Sequence, residues 1–326
     1  MTKFLLRRLV NYVILVFIAT SLAYILAAVS LNPKSNYENR NPKPPEAVIS
    51  AKLDSLNLNP DTPVLNRYGH WLDDLVHGNL GSEVQGGSVN ADVGRRLWVS
   101  GQLLLVGTIL GGILGVVIGA WSAVRQYKLI DHFFTLSSFV ILSVPTFVLA
   151  ILLQILATKI NGWAGHTIFE FSGQYNPKIP GDSWAHFFNR LNHLILPTVT
   201  LVLAGAAFLS RYQRNAMLDV LASDYVRTAR AKGLRRRTAL VKHALRTALI
   251  PAATIFTYSF ALIFVGATFT EIIFGWHGMG ELLVTSIQGN DTNSVAAVTL
   301  FVAVLVLFAS FLQDFVVALL DPRVRS

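Results

Sequence analysis

The sequence contains no cysteine, which excludes disulfides, thiolate metal sites and thiol catalysis and leaves the redox compartment open. Charge is also scarce: 14% of the 326 residues are Asp, Glu, Lys or Arg, against roughly 25% in an ordinary soluble domain. There is no G-x-x-x-x-G-K-[ST] loop; "GSEVQGGS" at 81–88 comes nearest and lacks the lysine. Any energy from nucleotide hydrolysis must therefore enter through another chain. HExxH and paired carboxylates within an apolar run are missing as well, so a membrane-embedded enzyme has nothing to work with. The isolated His193 and His243 are read as interfacial side chains.

What is present is apolar: 53% of residues are hydrophobic, and the charges cluster between long runs instead of spreading evenly. Such runs face lipid better than water. Windows of about 20 mainly apolar residues, the length needed to span a bilayer, fall near 9–29, 99–124, 133–157, 194–212, 251–273 and 295–318. The expected fold is an all-α membrane protein with six transmembrane helices. The basic N-terminus resembles a signal peptide, but its apolar part runs from Leu9 to about Val29, so it reads as an uncleaved anchor, with cleavage near Ala28 as the alternative.

An even number of spans puts both termini on one side. With the N-terminus in the cytoplasm, that side holds about 17 Lys/Arg, including Lys3, Arg7, Arg8, Arg125, Lys128, Arg323 and Arg325, against about 5 Asp/Glu, the bias that the positive-inside rule requires. Arg95 and Arg96, at an outer helix end, are the local exception. The net charge of +9 thus reports topology. The largest outer segment, residues 32–96, begins irregularly with proline and asparagine. "EAVISAKLDSLNL" and "LNRYGHWLDDLVHG" then repeat apolar residues at helical spacing, so a small ordered extracytoplasmic cap with short amphipathic helices is expected. The second outer loop, 158–192, carries Trp163 and Trp184 as candidate interfacial anchors.

Within the second span, Gly107, Gly111, Gly115 and Gly119 recur every four residues. They form a smooth stripe on which another helix can pack closely where lipid gives no hydrophobic drive to associate. In the third span Pro145 lies between Ser143 and Thr146. Proline removes a backbone donor and kinks the helix; this trio either lines a substrate path or is the ordinary proline kink of a spanning helix. Asp131, Glu271 and Asp314 sit near span ends and are read as solvated there.

The stretch "DYVRTARAKGLRRRTALVKHALRTALIP", 224–251, raises a different question. Eight Lys/Arg lie between Arg227 and Arg246; inserting them would cost about 20–28 kcal/mol at roughly 2.5–3.5 each, so the stretch stays outside the bilayer although it is helix-prone. Ser223 and Asp224 are suited to start a short helix through Ala231. Gly233 suits a turn. Leu240, Val241, Ala244, Leu245, Ala248 and Leu249 then mark one face of an amphipathic second helix, and Pro251 is placed where a further helix can begin. Juxtamembrane bases that fix topology and meet anionic lipid explain the charge, but not the helix, glycine, helix order. Nucleic-acid binding is not expected, because no aromatics are interleaved with the bases.

That order carries a family resemblance. "YVRTARAKGL" followed by "VKHALRTALIP" resembles the cytoplasmic coupling segment of ABC importer permease subunits, in the form typical of the dipeptide and oligopeptide subfamily. Arg227, Thr228, Ala229 and Gly233 stand at the positions of the general EAA-x-x-x-G motif; the leading acidic residue is absent, and the proline comes late, at Pro251. Both departures resemble the peptide subfamily. The likeness extends along the chain through "FLLRRLVNYVILVFIATSLAYIL", "RYGHWLDDLVHGNLGSEVQGGSV", "LSVPTF", "HLILPTVTL" and "TEIIFGWHGMGELL", where His277 replaces a usual proline and "GNDTN" follows in a looser match.

The resemblance implies the type I ABC importer permease fold, with residues 1–326 as one permease domain, 32–96 as its cap and 214–250 as its coupling segment. It also implies a non-catalytic translocation subunit in the cytoplasmic membrane. Its partners would be a second homologous permease in a heterodimer, two ATPase subunits and an extracytoplasmic peptide-binding protein. ATP and Mg would be held by the ATPases, and no cofactor by this chain. Asp224, Tyr225, Arg227, Thr228, Ala229, Arg230, Lys232 and Gly233 would couple to the ATPase. The substrate would be a di- or oligopeptide, or a related solute such as glutathione or a nickel chelate. A stand-alone gradient-driven carrier would want intramembrane carboxylates or an internal repeat, and the sequence has neither.

Overall fold

The computed structural model describes residues 2–38, 40–181 and 183–320; the side chains of 2–6, 230, 236, 237, 242, 243, 256–266 and 316–320 lie outside the described set. Among the described residues the regular structure is helical, with a single isolated bridge between Ser82 and Ser88. In chain order the helices are α1 (Thr2–Ser30), α2 (Ser35–Glu38), α3 (Glu46–Ser55), α4 (Val64–Val76), α5 (Val89–Val124), α6 (Leu129–Ser143) and α7 (Thr146–Ala164). They continue with α8 (Trp184–Leu221), α9 (Asp224–Ala231), α10 (Arg236–Ala239), a π-helical turn at Leu240–Leu245, α11 (Arg246–Phe274), α12 (Met279–Gln288) and α13 (Thr292–Leu320). Five helices among the described residues are long and apolar enough to cross a membrane, and α6 is a shorter apolar helix. The chain is a multi-pass membrane protein.

Two compact units form. Among the described residues the first comprises those up to 101 together with 277–307, and the second those of 102–276 together with 308–320.

In the first unit the two amphipathic segments expected between the first and second spans are present as α3 and α4. Tyr37, Ile49, Leu53, Leu58 and Val84 make a small core of their own. Helix α4 lies on α1: Trp71 stacks on Tyr24 with centroids 4.6 Å apart. The Arg67 guanidinium, 1% exposed, donates to the Ala28 carbonyl at 3.1 Å and to the Thr62 carbonyl at 3.2 Å. Helix α5 starts at Val89, well before the expected residue 99, because Asp92 in its first turn binds Arg95 and, at 2.9 Å, Arg96. Arg95 and Arg96 are therefore internal to a helix, sharing one carboxylate a turn away, and the expected segment 32–96 overlaps that helix. His277 has φ of +39°, which a proline ring cannot adopt; the loop here departs from the proline-containing pattern it resembles.

In the second unit the expected third span, 133–157, is two helices. Val144, the residue before Pro145, is extended at φ −97°, ψ 124°, as the proline ring demands of its predecessor. Pro145 itself is at φ −56°, ψ 143° and opens α7. The interruption is a complete break, not a kink within one helix. Pro197, by contrast, lies inside α8. That helix outruns its expected window of 194–212 at both ends, since polar, helix-prone sequence flanks the apolar part, and the Ser183 hydroxyl caps it by accepting the His186 N–H at 3.1 Å.

The glycine stripe of α5 meets α8. A Cβ added at Gly107 would come 3.0 Å from Leu201 Cβ, at Gly111 3.5 Å from Val202 Cα, at Gly115 2.9 Å from Leu209 Cβ, and at Gly119 2.5 Å from the Ser210 carbonyl. All four glycines therefore face the same helix at close range.

Candidate functional site

Helix α8 ends at Leu221, and the chain turns through Ala222 and Ser223 into α9. The Ser223 hydroxyl donates back to the Val220 carbonyl and so ties the end of α8 to the start of α9, while the Ser223 carbonyl accepts the Arg227 N–H at 3.3 Å, the backbone bond of a residue that precedes a helix. Helix α9 has the bounds the sequence suggests, Asp224–Ala231, with the Asp224 carboxylate at its positive end. Its termination is a Schellman motif: Gly233 has φ +89°, and the Leu234 N–H reaches back to the Ala229 carbonyl at 3.3 Å. Nothing lies within 4 Å of where a Gly233 Cβ would be, so glycine is needed here for its backbone and not for room.

The helix has two faces. Val226 and Ala229, three residues apart, are 4% and 9% exposed and turn inward. Asp224, Tyr225, Arg227, Thr228 and, after the helix, Lys232 are exposed. Asp224 and Arg227 face each other loosely at 3.9 Å, too exposed for that pair to fix much. The Arg230 side chain lies outside the described residues. Of the residues singled out from sequence, all but Ala229 and Arg230 are thus placed on open surface.

The buried face is seated in a core of Ala123, Met217, Val226, Ala244 and Ala248, drawn from α5, α8, α9, the π turn and α11. Small residues predominate, so the elements approach closely and a displacement of α9 is shared with its neighbours. The second half of the elbow is helical as expected, but it contains the wide turn at Leu240–Leu245. Pro251 lies inside α11, which begins at Arg246; no new helix starts at the proline, because the five preceding residues already form the opening turns. His243 lies in the π turn with its side chain outside the described residues.

Three polar residues differ from their sequence assignment. Asp131 is 2% exposed: both its oxygens take Arg214, Nε at 2.7 Å and Nη2 at 2.8 Å, and it also accepts the Ser122 hydroxyl and, at 2.9 Å, the Tyr127 N–H. Glu271 is 1% exposed and His193 3% exposed, the latter with Nδ1 2.9 Å from the Asn189 carbonyl and 3.1 Å from Glu170. Proximity to a span end suggested water for the two carboxylates, and His193 was expected at the membrane interface. Helices longer than their apolar windows carry them into protein instead. The available signal was a carboxylate and an arginine both flanking apolar runs, which pair once α6 and α8 run side by side.

At the break in the third span, Ser143 and Pro145 are exposed and Thr146 is half-buried; the Ser143 hydroxyl donates to the Val140 carbonyl at 2.8 Å. Among the described residues no group of three or more His, Asp or Glu is placed to hold a metal ion.

Residues 115–326 match the family model described as "Binding-protein-dependent transport system inner membrane component". The "Oligopeptide transport system permease protein OppB" of Mycobacterium tuberculosis is 50% identical over 325 residues, covering 100% of this chain and 99% of that protein. The "Oligopeptide transport system permease protein AppB" of Bacillus subtilis is 35% identical over 87% of each chain, and the Escherichia coli "Oligopeptide transport system permease protein OppB" is 31% identical over the whole of both. A helix-glycine-helix elbow on a bundle of membrane-length helices, with full-length similarity to these permeases, places this chain in the family of binding-protein-dependent transport system inner membrane components.

Proposed function

We propose that this chain is a permease subunit of an ATP-driven importer that carries di- or oligopeptides across the cytoplasmic membrane by alternating access. The relatives' printed names support the peptide class. In this reading the chain translocates without catalysing: a second homologous permease forms the other half of the pathway, two ATPase subunits bind ATP and Mg, and a peptide-binding protein delivers substrate from outside. Both termini and the segment 214–250 are cytoplasmic, as the Lys/Arg distribution favours, and the cap, 32–96, is extracytoplasmic.

The observation that carries the reading is the two-faced α9. Val226 seats it in the small-residue core and Ala229 is also buried, while Asp224, Tyr225, Arg227 and Thr228 are left open. A solvated surface helix gains little from so firm a seat, whereas a helix that must pass on a push needs one. Docked in a groove of the ATPase, α9 moves when the ATPases close on nucleotide, and the shared small-residue core carries that motion into α8 and α11. We place the substrate path beside the break at Ser143, Pro145 and Thr146, where helical backbone pairing is interrupted.

The test is uncoupling in the assembled complex. Gly233→Trp, which forces a side chain onto a left-handed backbone position, and Arg230→Glu should leave ATP hydrolysis running while peptide uptake falls. Wild-type uptake in both variants would reject the coupling role. Failure of the chain to co-purify with nucleotide-binding subunits would reject the importer reading altogether. Peptide against related solute is decided by binding a solute panel to the extracytoplasmic partner.

A further inference from the structure

A buried ion pair is expensive to desolvate, and an apolar pair of matching shape commonly stabilises a fold as well or better. In the Asp131–Arg214 pair the carboxylate is 2% and the arginine side chain 21% exposed, so most of that cost falls on Asp131 and the pair calls for an account other than stability. Its neighbours show what it adds. One carboxylate gathers the last turn of α5 through Ser122, the following connection through Tyr127, and α8 through Arg214, while itself belonging to α6. Tyr127 takes φ of +62°, a conformation unusual for a tyrosine, and its N–H donates to that carboxylate. The bidentate fork of the guanidinium fixes orientation as well as distance. The cavity beside the pair, about 10 Å³ and bordered by Ser122, Ser138, Ser210 and Arg214, has space for about one water molecule.

Two further contacts tie α6 to α8. The Arg211 guanidinium lies 4.2 Å from the centre of the Phe139 ring, and the Ser138 and Ser210 hydroxyls are 3.2 Å apart. From 131–214 to 138–210 and 139–211 the pairing advances along α6 while it steps back along α8, so α6 is clamped antiparallel to α8 by contacts spread over about 12 Å of α6 and about 6 Å of α8 at 1.5 Å per residue. The clamp adjoins the seat of α9: Met217 lies one turn beyond Arg214 on α8, Ala123 follows Ser122 on α5, and both pack in the core that receives Val226.

We propose that Asp131 and Arg214 are positioning residues for translocation: they form the joint that makes α6 follow the coupling helix, so that α6, α8 and α9 move as one body up to the break at Pro145. This rests on the function proposed above. The small-residue core passes a push to α8; the ion pair, with its fixed geometry, prevents α6 from lagging behind.

The absence of cysteine permits a direct test. Single cysteines at Phe133 on α6 and Ala231 at the end of α9, both exposed, would carry spin labels in the complex reconstituted with its ATPase subunits in nanodiscs. In the wild type the distance between labels should stay single and narrow with and without ATP. In the Asp131→Asn, Arg214→Met double variant, which leaves no lone buried charge, it should broaden on ATP addition, and peptide moved per ATP hydrolysed should fall about fivefold or more. Arg214→Lys, which keeps the charge and loses the fork, should change both readouts in the same direction; it serves if the double variant does not assemble. A merely structural role would reduce the amount of complex and leave the ratio of uptake to hydrolysis unchanged. An unbroadened distance with a wild-type ratio in the variants, or a wild-type distance that itself shifts with ATP, overturns the joint. If the wild-type complex moves no peptide, the transport reading fails, and the label distances still decide whether α6 follows α9.

Discussion

A Cβ on Gly119 would lie 2.5 Å from the Ser210 carbonyl oxygen, closer than any side chain on α5 can come without moving the backbone of α8. Gly115 and Gly107 are held nearly as tightly, at 2.9 Å from Leu209 Cβ, with the Ala206 carbonyl oxygen behind it at 3.3 Å, and at 3.0 Å from Leu201 Cβ. Gly111 has ordinary contact at 3.5 Å. The four positions look equivalent in the sequence and are graded in the structure.

Alanine substitutions should reproduce that gradient. Gly119→Ala is expected to cost most, about 1–3 kcal/mol as for overpacking generally, because backbone must shift. Gly115→Ala and Gly107→Ala should cost less, since each meets a single Cβ at 2.9–3.0 Å where Gly119 meets three atoms of α8 at 3.0 Å or less, and Gly111→Ala should be neutral or slightly stabilising. The half-loss temperature of the detergent-solubilised complex on size exclusion checks the order. A flat series would mean that α5 and α8 do not pack on this stripe.

The stripe and the elbow were legible because each is written in residues whose physical role is local. Glycine at four-residue spacing makes a smooth face whatever packs on it, and Gly233 with Asp224 ahead of it bounds a helix without reference to the rest of the chain. The register of ion pairs was not legible. Asp131 and Arg214 are 83 positions apart, and only the lateral packing of α6 on α8 brings them together. Helix ends were misjudged for a related reason. An apolar window measures what lipid tolerates, whereas α8 and α5 continue as helices into polar sequence on protein support alone. At Pro145 the sequence indicated a distortion, but whether a proline kinks or severs a helix depends on neighbours: Pro197 is accommodated within α8, and Pro145 opens a new one.

The two faces of α9 should separate under mutation. Val226→Ala removes methyl groups from the core around Ala123, Met217 and Ala248; at about 0.8 kcal/mol per buried CH₂-sized group, the elbow loses roughly 1–2 kcal/mol of its seat, read as faster hydrogen exchange in 224–231. Tyr225→Ala and Thr228→Glu alter only exposed positions. They should leave that exchange unchanged and, under the docking reading, weaken retention of the ATPase subunits on affinity purification. If Tyr225→Ala and Thr228→Glu retain the ATPases fully, the docking face lies elsewhere.

Acidity should strengthen one region of the first unit. Asp291 lies between α12 and α13, 7% exposed, and accepts the Val84 N–H at 3.1 Å and the Ser294 N–H at 3.0 Å. Burial pushes its carboxyl above the ordinary 3.8, and these backbone donors only partly offset it. Burial likewise raises Glu83, helped by the carboxylates of Asp92 and Asp291 and opposed by Arg96 and Arg95. A folded-state value above the unfolded one means that the folded state binds more protons. The stabilisation is therefore complete below about pH 3.8 for Asp291 and is lost as pH rises through its higher folded value. Hydrogen exchange across 80–92 and 288–294 should thus slow, after correction for intrinsic exchange, as pH is lowered from neutral toward that value. Asp291→Asn keeps an acceptor oxygen without the buried charge, and should flatten most of the dependence while leaving only the Glu83 contribution. An unchanged slope in Asp291→Asn would assign the effect to Glu83 and to the charges around it.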